Sequence, residues 1–192
     1  MYAALCHDLG KPLTTGYSDG KLRSLGHCEA GEVPTRALLG RLTREQSFVD
    51  GIVMLVVNHL APTAFHEGVS GPSAIRRLAK KLEPEVNIGL LVRLARADHF
   101  GRGQEPDFPR VFPAGDWLLA RATELAVKDA AEAPILMGRH LLAAGQLPGP
   151  SIGKMLKRAY EIQINEGIRD VDVLLQRVLG DCSQPLPYRR DV

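Results

Sequence analysis

Apolar side chains recur at helical spacing along most of the chain, and nowhere does a long stretch alternate in the manner of a strand. Ile52, Leu55, Val56 and His59 fall at i, i+3, i+4 and i+7, which predicts a helix over Ser47–Leu60 with His59 on its apolar face. Pro62 is expected to end it, and a short connection with His66 and Gly68 to follow. Ala74, Ile75, Leu78 and Leu82 mark a second helix over Ser70–Leu82. Leu91, Leu94, Ala95 and Asp98 repeat the same spacing in a third, opening at Pro84 and running to about Phe100, so Asp98 points where the leucines point. Further helices are expected over Asp116–Val127, around His140, over Ser151–Glu166 and over Asp170–Leu179.

The start of the chain is less regular. If Met1–Leu9 is helical, Ala3, Ala4 and Leu5 set its buried faces, and His7 and Asp8 lie one turn further on, aimed inward. Pro12–Gly26 is rich in Thr, Gly and Ser and reads as a loop, with a turn or hairpin tip near Gly16–Lys21. Gly26-His27-Cys28-Glu29 opens a segment to about Thr43, with a kink or fresh start at Pro34. A break at Gly101-Arg102-Gly103 leads into a proline-rich loop to Pro113, and the tail after Cys182 is expected to fray. The fold class is all-α. Glu132-Ala133-Pro134 divides residues 1–132 from a helical extension over residues 133–192.

Composition narrows the class. At 192 residues the chain suits one domain or a domain with an appendage. Its 45% hydrophobic and 24% charged residues fit a globular protein, and a net charge of +2 gives no argument for nucleic acid or membrane. Three cysteines without a CxxC pair signal neither a zinc knuckle nor a disulfide framework, and a reduced, cytoplasmic setting is the default. No uninterrupted apolar run reaches the roughly 18 residues a membrane span needs.

Four segments each place a donor inward: His7 with Asp8, His27, His59 and Asp98. A single inward histidine is most often a hydrogen-bonded core residue. A buried carboxylate, however, is costly unless paired or bound to a cation, and three histidines with two aspartates make a divalent metal the economical explanation. Imidazole and oxygen donors without thiolate suit Mn, Fe, Co, Ni, Mg or Zn and do not choose among them. A metal so held polarises a phosphoryl oxygen and generates hydroxide from water. Lys11 and Arg102 follow the donor segments and suit the oxygens of a phosphate, although ordinary surface charge explains them equally well. His66 either lines the site or lies on a loop. His99 is expected to face solvent or to back the site, and His140 to be structural.

His7-Asp8-Leu9-Gly10-Lys11, Gly26-His27-Cys28-Glu29-Ala30-Gly31, His59 and Ala97-Asp98-His99-Phe100-Gly101-Arg102 resemble the HD superfamily of metal-dependent phosphohydrolases. More narrowly, they resemble the HD region of bacterial tRNA nucleotidyltransferases and poly(A) polymerase-like proteins. Gly138-Arg139-His140-Leu141-Leu142, Pro148-Gly149-Pro150 with Gly153, Ile162-Gln163 and Gly167 are similar to the segment that follows that region.

The resemblance implies hydrolysis of phosphomonoesters and 2′,3′-cyclic or 2′-nucleotides with a divalent metal and a metal-bound hydroxide as nucleophile. His7, Asp8, His27, His59 and Asp98 are the implied ligands, and Asp8, Lys11 and Arg102 the catalytic set. The family pattern begins with a further histidine on a helix upstream of the doublet, which this chain does not show. An N-terminally incomplete HD domain is therefore expected, with a weakened site or one metal in place of two. No Gly-Ser dipeptide of a nucleotidyltransferase head occurs, so CCA addition is not expected. The alternative is a non-catalytic helical region that packs on such a head or positions tRNA, with Lys154, Lys157, Arg158 and Arg169 against the RNA backbone. Those four residues read more simply as a solvated face.

Overall fold

The computed structural model describes residues 1–102 and 111–181. The loop from Gly103 to Arg110, and Cys182 with the tail beyond it, lie outside the described residues. Helices dominate, as the periodicity predicts, and one two-stranded hairpin accompanies them. The chain divides into two compact units, Met1–Ala131 and Glu132–Val192.

The first unit is arranged around α5 (Gln46–Asn58), whose residues Val49, Ile52, Val53, Leu55 and Val56 are all buried. Against it pack α1 (Tyr2–Cys6), α3 (His27–Ala30), α4 (Glu32–Leu39), α7 (Pro72–Leu82) and α8 (Ile88–Gly101). The predicted stripe on α7 is confirmed by Ile75, Leu78 and Leu82, and that on α8 by Leu91, Leu94 and Ala95. Helix α8 begins at Ile88, not at Pro84, because the Asn87 side chain accepts from the Leu90 amide and satisfies one orphan donor of the first turn. Helix α9 (Pro113–Glu124) packs on α8 and buries Leu118 and Ala122.

The irregular stretches hold more structure than their composition predicts. Helix α1 stops at Cys6, and its buried residues are Ala3 and Cys6; Ala4 and Leu5 face outward. Five residues make little more than one turn, so tertiary contact decides which face is covered. The expected Pro12–Gly26 loop contains α2 (Lys11–Thr14) and an antiparallel hairpin, β1 (Thr15–Ser18) paired with β2 (Lys21–Ser24), turning at Asp19-Gly20. The fresh start expected at Pro34 comes earlier, at Gly31, and Pro34 sits in the first turn of α4, where its missing N–H costs nothing. Pro62 likewise opens a helix. It is the second residue of α6 (Ala61–Glu67), which carries His66. The run Gln46–Glu67 is long and apolar enough to pass for a membrane span, but half of it is buried inside the unit.

In the second unit, α10 (Gly138–Ala143), α11 (Pro150–Glu166) and α12 (Val171–Asp181) enclose Leu136, Leu141, Ala159, Leu174 and Val178. The buried Gln163 amide ties the segment leading into α10 to α11: it donates to the Ala133 carbonyl and accepts from the Ile135 amide. His140 accepts from the Met137 amide, a structural role as expected.

Candidate metal centre

Three histidines end up in the same local arrangement by three routes. His7 follows the last residue of α1, and its Nδ1 donates to the Ala4 carbonyl at 2.8 Å. His59 follows α5, and its Nδ1 donates to the Val56 carbonyl at 2.6 Å. His27 opens α3, and its Nδ1 donates to the Ser24 carbonyl at 2.7 Å. Each acceptor lies three residues back, and the Val56 carbonyl also accepts the His59 backbone amide that caps α5. A carbonyl only accepts, so Nδ1 carries the proton and Nε2 presents its lone pair. This backbone contact is how metal-ligating histidines are commonly held.

The Nε2 atoms converge. His27 Nε2 and His59 Nε2 are 3.4 Å apart, and the His59 ring lies edge-on to the rings of both His7 and His27. The carboxylates complete the group. His7 Nε2 is 3.3 Å from Asp8 Oδ2 and 3.3 Å from Asp98 Oδ1, and His27 Nε2 is 3.7 Å from Asp8 Oδ1. The structure thus brings together His7, Asp8, His27, His59 and Asp98.

Burial sharpens their electrostatics. His59 is 1% exposed. Burial, seconded by the neighbouring His7 and His27, lowers its pKa and keeps it neutral. Burial pushes the Asp98 carboxyl up, but the hydrogen bonds and charge of Arg102, with His7 and His59, outweigh that and hold it below the usual carboxylate range. Two lone pairs facing each other across 3.4 Å are reconciled either by a proton on one of them or by a metal ion between them. The donor chemistry therefore fits a divalent metal.

Lys11 and Arg102 are not idle surface charge. Lys11 Nζ lies 2.6 Å from Asp8 Oδ2, and Arg102 forks onto both oxygens of Asp98. The same contact raises the Arg102 pKa. Both heads stay partly exposed, at the rim of the cluster. His99 does not face solvent: its ring stacks on Phe112 at 4.8 Å. It shares a cavity of about 20 Å³ with His59, Asp98 and Arg102, room for a single water. His66 lies edge-on to Trp117, away from the cluster.

The residue that sequence reasoning missed is Cys28. Its thiol sulfur is 3.9 Å from His27 Nε2, and His27, Cys28 and His59 form a group able to hold a metal ion. Burial, with the charge of Glu29, pushes the Cys28 thiol up to about 11. A thiol in that state is a poor ligand until a metal displaces its proton. Only its adjacency to His27 hinted at a role.

Gly10 binds the doublet to this assembly. A Cβ at Gly10 would lie 2.0 Å from the His27 carbonyl oxygen and 2.6 Å from the Gly31 amide. Only a glycine lets the turn after Asp8 sit against the start of α3.

Comparison with known proteins gives two relatives. A CC-adding tRNA nucleotidyltransferase of Thermus thermophilus is 32% identical over 165 residues, 84% of this chain and 35% of that protein. The chain is similar in sequence to part of that tRNA nucleotidyltransferase. A multifunctional CCA protein of Laribacter hongkongensis is 33% identical over 138 residues, 69% of this chain and 33% of its own length. The chain thus spans about a third of the curated relatives it matches. No family model and no solved structure matches it.

Proposed function

We propose that the chain is the helical region of a tRNA nucleotidyltransferase-like protein, and that its histidine–aspartate cluster is an HD-type metal site that hydrolyses phosphate esters of nucleotides. The observation that carries this reading is the convergence of three Nε2 lone pairs, each backed by a carbonyl, on two carboxylates. A divalent cation would satisfy all of these donors at once, whereas protons would satisfy them only pair by pair. His7, Asp8, His27, His59 and Asp98 hold the metal. When bound, a divalent cation supplies Lewis acidity toward phosphorus and acidifies water.

The chain's own groups do the rest. Asp98 is clamped by Arg102 and mostly covered, so it is the fixed donor. Asp8 is the more exposed carboxylate and accepts hydrogen bonds from the attacking water. Lys11 and Arg102 turn spare N–H donors toward non-bridging phosphate oxygens.

Metal content and hydrolysis of 2′,3′-cyclic AMP under Mn, Ni, Co or Mg test this reading together. Stoichiometric metal and turnover in the wild-type chain, both lost in Asp98→Ala, are the expected result. A folded wild-type chain with neither would sink it. The relatives' names favour a second reading, a region that positions tRNA without hydrolysis, through Lys154, Lys157 and Arg158 of α11. Salt-dependent tRNA binding without turnover would select it.

A further inference from the structure

Beside the cluster, in the first unit, lies a groove that the metal chemistry does not use. Its cavity is about 560 Å³, within the range of small-molecule sites. His27 and Cys28 form part of its wall, and Val57, Leu60 and Phe65 line it with apolar surface. A second cavity of about 320 Å³ shares Asn58, Ala61, Phe65 and Lys81 with it.

Lys81 is the unusual member. Its ammonium donates to the Asn58 side-chain oxygen at 2.7 Å, and among the described residues no carboxylate forms an ion pair with it. Asn58 is 6% exposed, and its own amide N–H donates to the Met54 carbonyl at 2.7 Å. That bond fixes the amide so that its oxygen faces Lys81. A buried neutral group on α5, the neighbour of His59 in sequence, thus holds the exposed Lys81 ammonium at the wall of the groove. The ammonium keeps further donors for a ligand. Glu29 is the single acidic residue in the lining of the larger cavity, and it is exposed.

A site with a flat aromatic, an apolar floor, an ammonium with no carboxylate partner among the described residues and one imidazole, that of His27, shared with a metal-type cluster suits a nucleoside that carries phosphate on both sides. We propose that this groove holds the nucleoside of a phosphate ester bearing a second phosphate, and that Lys81 reads the second phosphate while the first lies at the cluster. The proposal rests on the phosphohydrolase reading for the fate of the first phosphate. It adds a specificity-determining residue and narrows the substrate to a nucleoside flanked by two phosphates, whether a free nucleoside bisphosphate or a phosphate-terminated RNA end.

Binding is measured by calorimetry on the whole chain in EDTA, so that the groove is tested apart from metal and turnover. The probes are adenosine 2′,5′-bisphosphate and adenosine 2′-monophosphate. The bisphosphate is expected to bind about tenfold tighter, the scale of one charge-assisted contact. Lys81→Met should erase the preference and Lys81→Arg should keep it. Ala64→Trp, which fills the exposed wall of the groove, should abolish binding of both probes while leaving the circular dichroism spectrum unchanged. Equal binding of the two probes by the wild type, no binding of either, or a preference that survives Lys81→Met overturns the proposal. A chain that shows the preference yet hydrolyses nothing when given metal refutes the phosphohydrolase reading and leaves the groove standing. A 3′-phosphorylated dinucleotide separates the sources: tighter binding than the bisphosphate identifies an RNA end, weaker binding a free nucleotide, and either supports the groove.

Discussion

His59 caps, and Asp98 stands on, helices of 13 and 14 residues whose other faces are sealed into the core of the first unit. His7, Asp8 and His27 stand on or beside helices of five, four and four residues. Around the latter, Leu5, Leu13, Tyr17, Leu22 and Leu25 are all more than half exposed. One half of the cluster is therefore placed by packing. The other half is placed by local devices: the Nδ1 hydrogen bonds, the contact of Gly10 with α3, and the Lys11–Asp8 ion pair. The lesson is that donor geometry does not require equal rigidity on all sides. A fixed pair of donors lets weakly packed segments close on it.

The largest expected effect tests the packing itself. Leu91, fully buried in α8, should cost about 2–5 kcal/mol when cut to alanine, through lost burial and the cavity left behind. Leu22→Ala in the hairpin should stay within about 0.5 kcal/mol. Urea denaturation measures both, and similar losses would erase the contrast.

Metal addition comes next. At one hundred times its dissociation constant a cation should add about 2.7 kcal/mol of stability. Hydrogen exchange should then slow most over residues 1–31 and least over α8. Uniform slowing would mean that the short segments were already as fixed as the long helices.

The smallest effect is that of pH on the metal-free chain. Burial keeps the folded His59 imidazole neutral below its usual value of 6.5, so the unfolded chain takes up the proton first. Its contribution to stability is complete above that value and declines as pH falls through it. Comparing the wild type with His59→Gln at pH 7.5 and 5.5 isolates the difference. An identical pH dependence in both would remove His59 as its source.

The same contrast explains what was legible in the sequence. The long helices α5, α7, α8 and α11 announce themselves because a face repeated over three or more turns needs only periodicity to be seen. His59 and Asp98 were readable for that reason. Helices α2 and α6 were not, and of the hairpin only its tip near Gly16–Lys21 was, because elements of four to seven residues take their form from tertiary contact, not from propensity. Leu5 was expected inside and lies outside, because a helix of one turn has no stripe to measure. The three carbonyl contacts depend on where helices end to within a residue, which sequence patterns do not define. The pairing of Arg102 with Asp98 at i+4 could have been read from spacing alone. The stacking of His99 on Phe112 could not, since those residues meet across the loop between α8 and α9.

The five donors come from positions 7, 8, 27, 59 and 98, and that spread has a consequence for how the molecule comes into being. Helices close over neighbouring residues and form quickly, whereas contacts between distant parts of a chain wait on loop closure. The cluster cannot exist until the first turn of the chain has met the end of α8. On the proposed metal reading, cation affinity would be a gauge of finished assembly. A collapsed intermediate with its full helix content would be nearly indistinguishable from the native chain by circular dichroism, yet it would bind no ion.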